Sequence, residues 1–226
     1  MGDFRHLWWI GLIVVIILIG AVYTTDILNG DEIPADLASV EVRNYQGTAL
    51  SSIYDFRENS IHGPQFVNLS EYRLTIGGMV ELPRTYSYDE VLTRFPHYRK
   101  AVTLYCVEGW DVTILWEGVR LRDILTEARP SPDVKAVIFR AVDGYSTSLP
   151  LDYLIENDIL LAIRMNNVTL PPERGFPFQL VAEDRWGYKW IKWVSSMELT
   201  DNVNYRGFWE SRGYANNVST EQPFFE

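Results

Sequence analysis

The stretch "TLYCVEGW", residues 103–110, contains Cys106, the single cysteine of this chain. The apolar run around it, which starts at Ala101, has the length and composition of a buried β-strand. A carboxylate, Glu108, follows two positions after the cysteine. A cysteine in such a setting is a small packed core residue, a nucleophile or a metal ligand. The stretch by itself leaves all three open.

The composition limits the classes of protein to consider. The chain has 226 residues, of which 47% are apolar, enough for one globular domain with a core. Its net charge of -10 argues against nucleic-acid binding. One cysteine excludes an intramolecular disulfide, a Cys-rich iron–sulfur site and a C-x-x-C-H haem site. The histidines His6, His62 and His97 lack the i, i+4 spacing of a common zinc site.

The N-terminus predicts a membrane anchor. From His6 to Thr25 the chain carries no Asp, Glu, Lys or Arg, and as a helix this stretch matches the thickness of a bilayer core. A cleaved signal peptide is the alternative, but no A-x-A cleavage site follows. We therefore predict one transmembrane helix within residues 1–28, a linker over 29–50 and a soluble domain over 51–226. Arg5 before the span and acidic residues after it favour a single-pass protein of the cell membrane with an extracytoplasmic domain.

The soluble part mixes strand and helix patterns without regular alternation. Ser87 followed by Glu90 matches a capping box and predicts a helix start. The apolar spacing in "GVRLRDILTEAR", residues 118–129, predicts a short helix. Asp143-Gly144 lies between two apolar runs and predicts a hairpin turn. These patterns indicate an α+β fold with a mixed β-sheet and short helices.

Seven stretches, in this order, resemble one known family. They are "YDFRENSIHGPQ", "YRLTIGG", "TLYCVEGW", "WEGVRLRDIL", "DGYSTSLPL", "MNNVTLPPERGFPFQLV" and "WGYKWIKWV". The chain resembles the molybdopterin-dependent oxidoreductases of the sulfite oxidase family, and most closely their bacterial and archaeal periplasmic sulfoxide-reductase-like branch. The resemblance covers residues 54–199, most of the soluble domain, and implies the sulfite-oxidase-type molybdopterin-binding fold.

The resemblance implies a role for the cysteine. The Cys106 thiolate is expected to be the catalytic protein ligand of molybdenum, since a soft thiolate suits this metal, and the pterin dithiolene would add two more sulfurs. Further residues are expected to bind the cofactor: Tyr54, Asp55, Arg57, Asp143, Arg174, Gln179, Gly187, Tyr188 and Lys189. Gly187 would admit the cofactor to the backbone, and Lys189 would offer charge to its phosphate.

The sequence departs from the family at two of these positions. Arg174 stands where relatives often have His or Asn, and Gln179 stands where they have Arg. A glutamine makes no bidentate charged contact. The phosphate contacts, and the presence of a nucleotide on the cofactor, therefore stay open.

The resemblance implies two-electron oxygen-atom transfer on a small sulfur or nitrogen oxide, with a small-molecule oxo-donor or oxo-acceptor as substrate. The branch favours sulfoxide reduction over sulfite oxidation. Sulfite would need converging cations, and the candidates are Arg57, Arg99, Arg174 and Arg185. Because the chain has no haem or iron–sulfur motif, electrons are expected to pass to or from a membrane cytochrome or another redox partner. Exported relatives usually carry a twin-arginine signal, whereas "GDFRHLWW" has one arginine, so the export route stays open.

Two other functions are compatible with the residues alone. In a thiol-dependent enzyme, Cys106 would be the nucleophile and His62 or His97 its base. In a membrane-anchored binding module, the fold would have lost its cofactor. A requirement for molybdenum separates the first of these from the oxidoreductase. The aromatic-rich C-terminal tail, "YRGFWESRGYANN", is too apolar to be free and is predicted to pack on the domain or on a partner.

Overall fold

Two five-stranded β-sheets form the frame of residues 40–225, the part of the chain that the computed structural model describes. The predicted anchor over 1–28, and the predicted linker as far as residue 39, lie outside this part. In residues 40–225 no helix is long and apolar enough to cross a membrane.

A short hairpin lies near the start of the described chain. It pairs β1 (Asn44–Tyr45) with β2 (Thr48–Ala49), and both strands fall in the stretch that the sequence predicts as a linker. The backbone N–H of Val42 donates to Asn166 O at 2.9 Å, and Leu50 is buried. The domain therefore includes residues 40–50.

The first sheet is antiparallel throughout, in the order β10-β9-β6-β5 with β11 also paired to β9. Its strands are β5 (His97–Tyr105), β6 (Asp111–Arg120), β9 (Leu160–Met165), β10 (Val168–Thr169) and β11 (Gln179–Val181). The second sheet has the order β4-β3-β12-β7-β8. Its strands are β3 (Leu74–Gly78), β4 (Arg84–Tyr86), β7 (Ala136–Ala141), β8 (Ser146–Pro150) and β12 (Val194–Thr200). The second sheet is mixed because β12 runs parallel to β3 and antiparallel to β7.

The α-helices are short, as the sequence predicts. They are α1 (Tyr88–Arg94), α2 (Leu121–Glu127) and α3 (Leu151–Glu156). The capping box before α1 is confirmed: Ser87 Oγ accepts from Glu90 N at 3.2 Å, and Glu90 Oε2 accepts from Ser87 N at 2.7 Å. The helix predicted over 118–129 begins only at Leu121. Val119 still belongs to β6, where it is paired with β5 on one side and with β9 on the other.

The hairpin predicted at Asp143-Gly144 is confirmed, since these residues turn the chain from β7 into β8. Gly144 has a φ of +86°, which glycine adopts without steric cost. One buried apolar cluster takes residues from both sheets, including Ile114 of β6 and Phe139 of β7. The α+β fold with mixed strands and short helices is thus confirmed, with two sheets where the sequence indicated one.

Candidate active site

A tight turn between β5 and β6 presents Cys106. The cysteine follows directly after Tyr105, the last residue of β5, and its N–H donates to Trp110 O at 2.9 Å. The N–H of Gly109 donates back to Cys106 O at 3.1 Å, and Gly109 has a φ of +87°. A residue with a side chain is strained at this φ, so the glycine permits the turn that takes Cys106 out of the strand.

The Cys106 sulfur receives N–H donors. Asn59 Nδ2 lies 3.8 Å from Cys106 Sγ, and the backbone N of Glu108 lies 3.5 Å from it. Burial raises the pKa of the Cys106 thiol, and these donors offset the rise only in part. The donors favour a thiolate, but without a metal or another cation the thiol form is favoured at neutral pH.

Glu108 holds two of the surrounding donors in place. Its Oε2 accepts from Trp110 Nε1 at 3.1 Å and from Asn59 Nδ2 at 3.3 Å. These two hydrogen bonds lower the pKa of the Glu108 carboxyl below its ordinary value. The carboxylate therefore orients the Asn59 amide beside the sulfur, a role that the sequence did not indicate.

Cys106 lines a cleft of about 420 Å³. Seven of the residues predicted for the site line it: Arg57, Cys106, Asp143, Arg174, Gln179, Gly187 and Tyr188. Three others do not: Tyr54, Asp55 and Lys189. The fold therefore brings most of the predicted residues into one cleft, although they come from segments that are far apart in the chain.

Arg174 shapes one wall of the cleft from within. Its guanidinium donates to the carbonyl oxygens of Ile53 at 3.0 Å, Phe56 at 2.6 Å and Arg57 at 3.3 Å. Its Cζ atom also lies 3.9 Å from the centroid of the Phe56 ring. Each of its three nitrogens is thus bonded to the chain segment that passes over the cleft, so Arg174 positions that segment.

Gly187 backs the cysteine turn. A Cβ atom at this position would lie 3.2 Å from Tyr105 O and 3.6 Å from Cys106 Cα. Trp186, one residue earlier, forms a parallel β-bridge with Tyr105. The glycine therefore serves the close approach of two protein segments behind Cys106, besides any approach to a cofactor.

The Gln179 side chain is a buried polar group without a protein partner. Gln179 is 4% exposed and lines the cleft from β11. Its carboxamide makes no hydrogen bond with any residue of the described range 40–225, and its polar atoms are not among the fully buried unpaired ones, so they open onto the cleft. A polar ligand in the cleft can therefore hydrogen-bond to this carboxamide.

Lys189 points to a different partner from the one the sequence suggested. It is 1% exposed, and its Nζ lies 2.5 Å from Glu210 Oε1. The same Nζ donates to Ser148 O at 3.1 Å and Asn216 Oδ1 at 3.2 Å. Its phosphate contact stays a prediction, while its ion pair with the C-terminal segment was not foreseen.

Asp143 and Asp55 each organise their own turn. Asp143 Oδ1 accepts from Tyr145 N at 3.0 Å, and Asp143 O lies 2.9 Å from His62 Nδ1. Asp55 Oδ2 accepts from Ser52 N at 2.5 Å. Tyr54, next to it, packs against the apolar core. Tyr54 and Asp55 thus build the segment that Arg174 holds, rather than the cleft surface.

Neither described histidine provides a base for a cysteine nucleophile. His62 Nδ1 faces the Asp143 carbonyl, and His97 Nε2 faces the Leu92 carbonyl at 3.1 Å. Neither ring lines the cleft that Cys106 lines. The geometry therefore gives no support to the thiol-dependent enzyme that the sequence left open.

Lys192 and Glu58 are cleft residues that the sequence did not single out. The Lys192 ammonium forms an ion pair with the Glu58 carboxylate and donates to Glu173 O at 3.2 Å. Burial lowers the pKa of Lys192, and the Glu58 contact counteracts this. The sequence feature that could have pointed to Lys192 is its place in "WGYKWIK", where two apolar residues separate it from Lys189.

The comparisons with known proteins agree with this geometry. The family described as "Oxidoreductase molybdopterin binding domain" matches residues 62–209, more than half of the chain. The chain belongs to this family. The predicted family and the predicted oxidoreductase are thereby confirmed.

Three curated relatives illustrate the family. The uncharacterized oxidoreductase YuiH of Bacillus subtilis is 34% identical over 67% of this chain and 76% of its own length. The putative protein-methionine-sulfoxide reductase subunit YedZ1 of Azospira oryzae is 30% identical over 66% of this chain and 56% of its own length. The catalytic subunit MsrP of the protein-methionine-sulfoxide reductase of Campylobacter jejuni is 27% identical over 71% of this chain and 60% of its own length. The chain thus spans less than two thirds of the last two.

A solved structure shows the same fold. The sulfane dehydrogenase SoxCD of Paracoccus pantotrophus superposes with a TM-score of 0.63 at 22% identity, over 82% of this chain and 58% of that chain. At this identity the likeness concerns the fold alone.

The cleft residues fit the molybdenum–pterin group that the family implies. Cys106 offers a single soft thiolate with N–H donors on its sulfur, as a molybdenum ligand requires. The carboxamide of Gln179, which lines the cleft and is hydrogen-bonded to no described residue, can donate to and accept from a polar heterocycle. Phe56, Trp110 and Trp190 add apolar lining for a flat ring system.

Proposed function

We propose that this protein catalyses two-electron oxygen-atom transfer on a small, uncharged sulfur or nitrogen oxide, in the reductive direction. The observation that carries the proposal is the position of Cys106, whose sulfur lines the cleft together with the unpaired carboxamide of Gln179. The molybdenum–pterin group, when bound, would supply the two-electron redox chemistry. The protein's part is to hold the group and to orient the substrate.

The charges of the cleft favour an uncharged substrate. Within the described residues, three cations line the cleft, together with four carboxylates: Glu58, Glu108, Asp143 and Glu173. Of the cations, Arg174 is bonded to backbone carbonyls and Lys192 to Glu58. An oxyanion such as sulfite would therefore meet a surplus of negative charge.

Arg57 is the cation that remains for the substrate. It is exposed, lines the cleft, and makes no side-chain hydrogen bond or ion pair with residues 40–225. Its guanidinium can donate to the oxygen of an S=O or N–O group. The other arginines considered for an anion lie elsewhere: Arg99 pairs with Glu117 at 2.6 Å, and Arg185 stacks on Tyr153 at 4.3 Å.

Reduction of a sulfoxide to a thioether and water consumes two electrons and two protons, and the electrons must come from outside this chain. The chain has too few cysteines for an iron–sulfur cluster and no haem-attachment motif. The proposal therefore includes a separate redox partner, such as a membrane cytochrome. Two of the relatives are named as subunits, which supports an assembly.

The proposal places the protein at the cell membrane. The uncharged run from Leu7 to Thr25 supports a single anchoring helix, and the charges around it support an extracytoplasmic domain.

The test uses full-length protein made in a host that synthesises the pterin. Molybdenum and pterin are measured per chain. A reduced dye then supplies electrons for the reduction of dimethyl sulfoxide or trimethylamine N-oxide, and in a separate assay an oxidised dye accepts electrons from sulfite. We expect molybdenum near one per chain and turnover of the uncharged oxides. Activity with sulfite alone, or activity without molybdenum, would contradict the proposal.

Arg57→Gln and Arg99→Gln form a matched pair in the same assay. Losing a charged hydrogen bond to the substrate at Arg57 should raise KM by about tenfold or more. Arg99 lies outside the cleft, so its substitution should leave KM unchanged. Equal effects of the two substitutions would exclude Arg57 as the substrate contact.

A further inference from the structure

The C-terminal segment completes the cleft. After β12 the chain forms no further strand within residues 201–223, yet Trp209 and Tyr214 of this segment line the same cleft as Cys106. The segment lies on the edge strand β8, where Phe208 N donates to Ser146 O at 2.9 Å. One wall of the cleft is thus built by chain that belongs to neither sheet.

A buried ion pair joins this wall to the 3₁₀ turn Gly187–Lys189, the floor of the cleft. Lys189 and Glu210 are 1% and 0% exposed, and Lys189 Nζ lies 2.5 Å from Glu210 Oε1. The hydroxyl of Thr147 donates to the same oxygen at 2.5 Å. Lys189 ends the 3₁₀ turn that starts at Gly187, behind Cys106, and Glu210 directly follows Trp209.

The ion pair is not explained by stability alone. Taking two charges out of water costs more than their attraction returns unless every polar atom is satisfied. Here Glu210 Oε2 is buried without a hydrogen bond to any described residue. Buried pairs of this kind are useful where they specify one arrangement of two segments. The two segments joined here are the ones that carry Gly187 and Trp209.

Tyrosine hydroxyls reinforce the same connection. Tyr188 OH donates to Ala215 O at 2.8 Å, and Tyr145 OH donates to Tyr188 O at 2.5 Å. The rings of Tyr188 and Tyr214 also pack edge to face with centroids 5.1 Å apart. The two Tyr188 contacts link the Gly187–Lys189 turn to the C-terminal segment, and the Tyr145 contact fixes the same turn to the β7–β8 hairpin.

We propose that Glu210 is a positioning residue of the cofactor cleft, which through Lys189 holds Trp209 and Tyr214 as a wall that retains the bound molybdenum–pterin group. The inference rests on membership of the molybdopterin-binding family, and it concerns retention of the group, not the substrate. The C-terminal segment would then be part of the active site rather than a tail packed for stability.

Glu210→Gln tests the ion pair, with Glu117→Gln as its matched control. Glu117 is also a buried carboxylate among cations, but it lies on β6, and its chain neighbours Trp116 and Gly118 do not line the cleft as Trp209 does. The readouts are pterin per chain, its release rate after dilution by fluorescence, and the melting temperature of cofactor-free protein. We expect Glu210→Gln to release pterin at least tenfold faster than wild type, and Glu117→Gln to release it at the wild-type rate.

Trp209→Ala keeps the test decisive where Glu210→Gln lowers folding yield. Trp209 is 36% exposed, so its removal should leave the melting temperature of cofactor-free protein within a few degrees while pterin release accelerates. Phe66→Ala, an exposed aromatic that does not line the cleft, is the control and should not change release. Unchanged release in both Glu210→Gln and Trp209→Ala would overturn the inference. Wild-type protein without pterin would instead overturn the cofactor assignment itself.

Discussion

The guanidinium of Arg174 lies over the Phe56 ring, with Cζ 3.9 Å from the ring centroid. Its nitrogens also donate to the carbonyl oxygens of Ile53, Phe56 and Arg57. Burial removes water from this guanidinium and lowers its pKa. The three carbonyl oxygens take the place of the lost water as hydrogen-bond acceptors. One side chain thus holds the segment that forms a wall of the cleft.

Arg174→Met should therefore lower the free energy of unfolding by about 3 kcal/mol, since carbonyl oxygens lose their charged donor in a buried place. Urea unfolding of the cofactor-free protein measures this. Arg140→Met is the control, because Arg140 forms an exposed ion pair with Glu198 at 2.7 Å, and such pairs contribute at most about 1 kcal/mol. Similar losses in the two variants would show that Arg174 does not hold the segment.

Cys106→Ser should abolish oxygen-atom transfer while the fold is kept. Serine is similar in size and Cys106 is only half-buried, so the cost in unfolding free energy should be about 1 kcal/mol. A hydroxyl is a poor replacement for a soft thiolate at molybdenum. Turnover, bound pterin and the molybdenum spectrum are measured together.

Three outcomes of the Cys106→Ser experiment separate the hypotheses. Lost turnover with retained pterin and a changed molybdenum spectrum supports the ligand role. Lost turnover in a protein whose wild type never holds molybdenum supports a thiol nucleophile. Full turnover in the serine variant would make Cys106 a packing residue only.

Gly187→Ala should displace the cysteine turn. The added methyl group would lie 3.2 Å from Tyr105 O, a distance at which the backbone must shift. A misplacement of about 1 Å in a catalytic group can cost about a hundredfold in rate, so for the smaller shift here we expect kcat to fall by about tenfold. Gly77→Ala, where a Cβ meets no atom within 4 Å, should leave kcat unchanged. Normal kcat in Gly187→Ala would show that the turn tolerates the methyl group.

Glu127 should make stability depend on acid pH. Burial works to raise the pKa of its carboxyl, but hydrogen bonds from Arg94 and Tyr86 outweigh burial and leave the pKa below its ordinary value. A lowered folded-state pKa stabilises the fold above the unfolded-state pKa of about 4.3, and this stabilisation is lost as pH falls through the folded value. Glu127→Gln should therefore flatten the loss of unfolding free energy below about pH 5. The prediction is wrong if the unfolding free energy of Glu127→Gln falls with acid pH as steeply as that of the wild type.

Deleting residues 1–28 should release the protein from membranes. The deleted stretch contains the uncharged run from Leu7 to Thr25, which favours the bilayer core. Fractionation after a salt wash is the measurement, and the full chain is the control. Truncated protein that still sediments with membranes would show that another segment binds them. A mature N-terminus near residue 25 would instead indicate a cleaved signal peptide.

Local features of the fold were predictable because they depend on neighbours in the chain. The capping box of Ser87 and Glu90 uses two residues three apart, and the Asp143-Gly144 turn uses adjacent ones. The start of α2 was misplaced because Val119 has helical spacing but pairs with strands on both sides. A long-range pairing there outweighed the local pattern.

Partners distant in the chain could not be predicted in this way. Asn59 lies beside Cys106 although 47 positions separate them. Lys189 was expected at a phosphate, yet it meets Glu210, because burial of a lysine requires an anion and the fold brings one there. Of the arginines considered for an anionic substrate, Arg57 and Arg174 reach the cleft.

The sequence by itself determined which residue can be the thiolate ligand, since Cys106 is the one cysteine, and it determined the family through stretches in a fixed order. The tertiary structure alone decided which side chains surround that sulfur and how each charge is paired. The reason is physical: a residue type states what chemistry is available, whereas burial and distance decide the partner that satisfies it. The wall formed by Trp209 and Tyr214 belongs to this second kind of information, because only packing brings the end of the chain to Cys106.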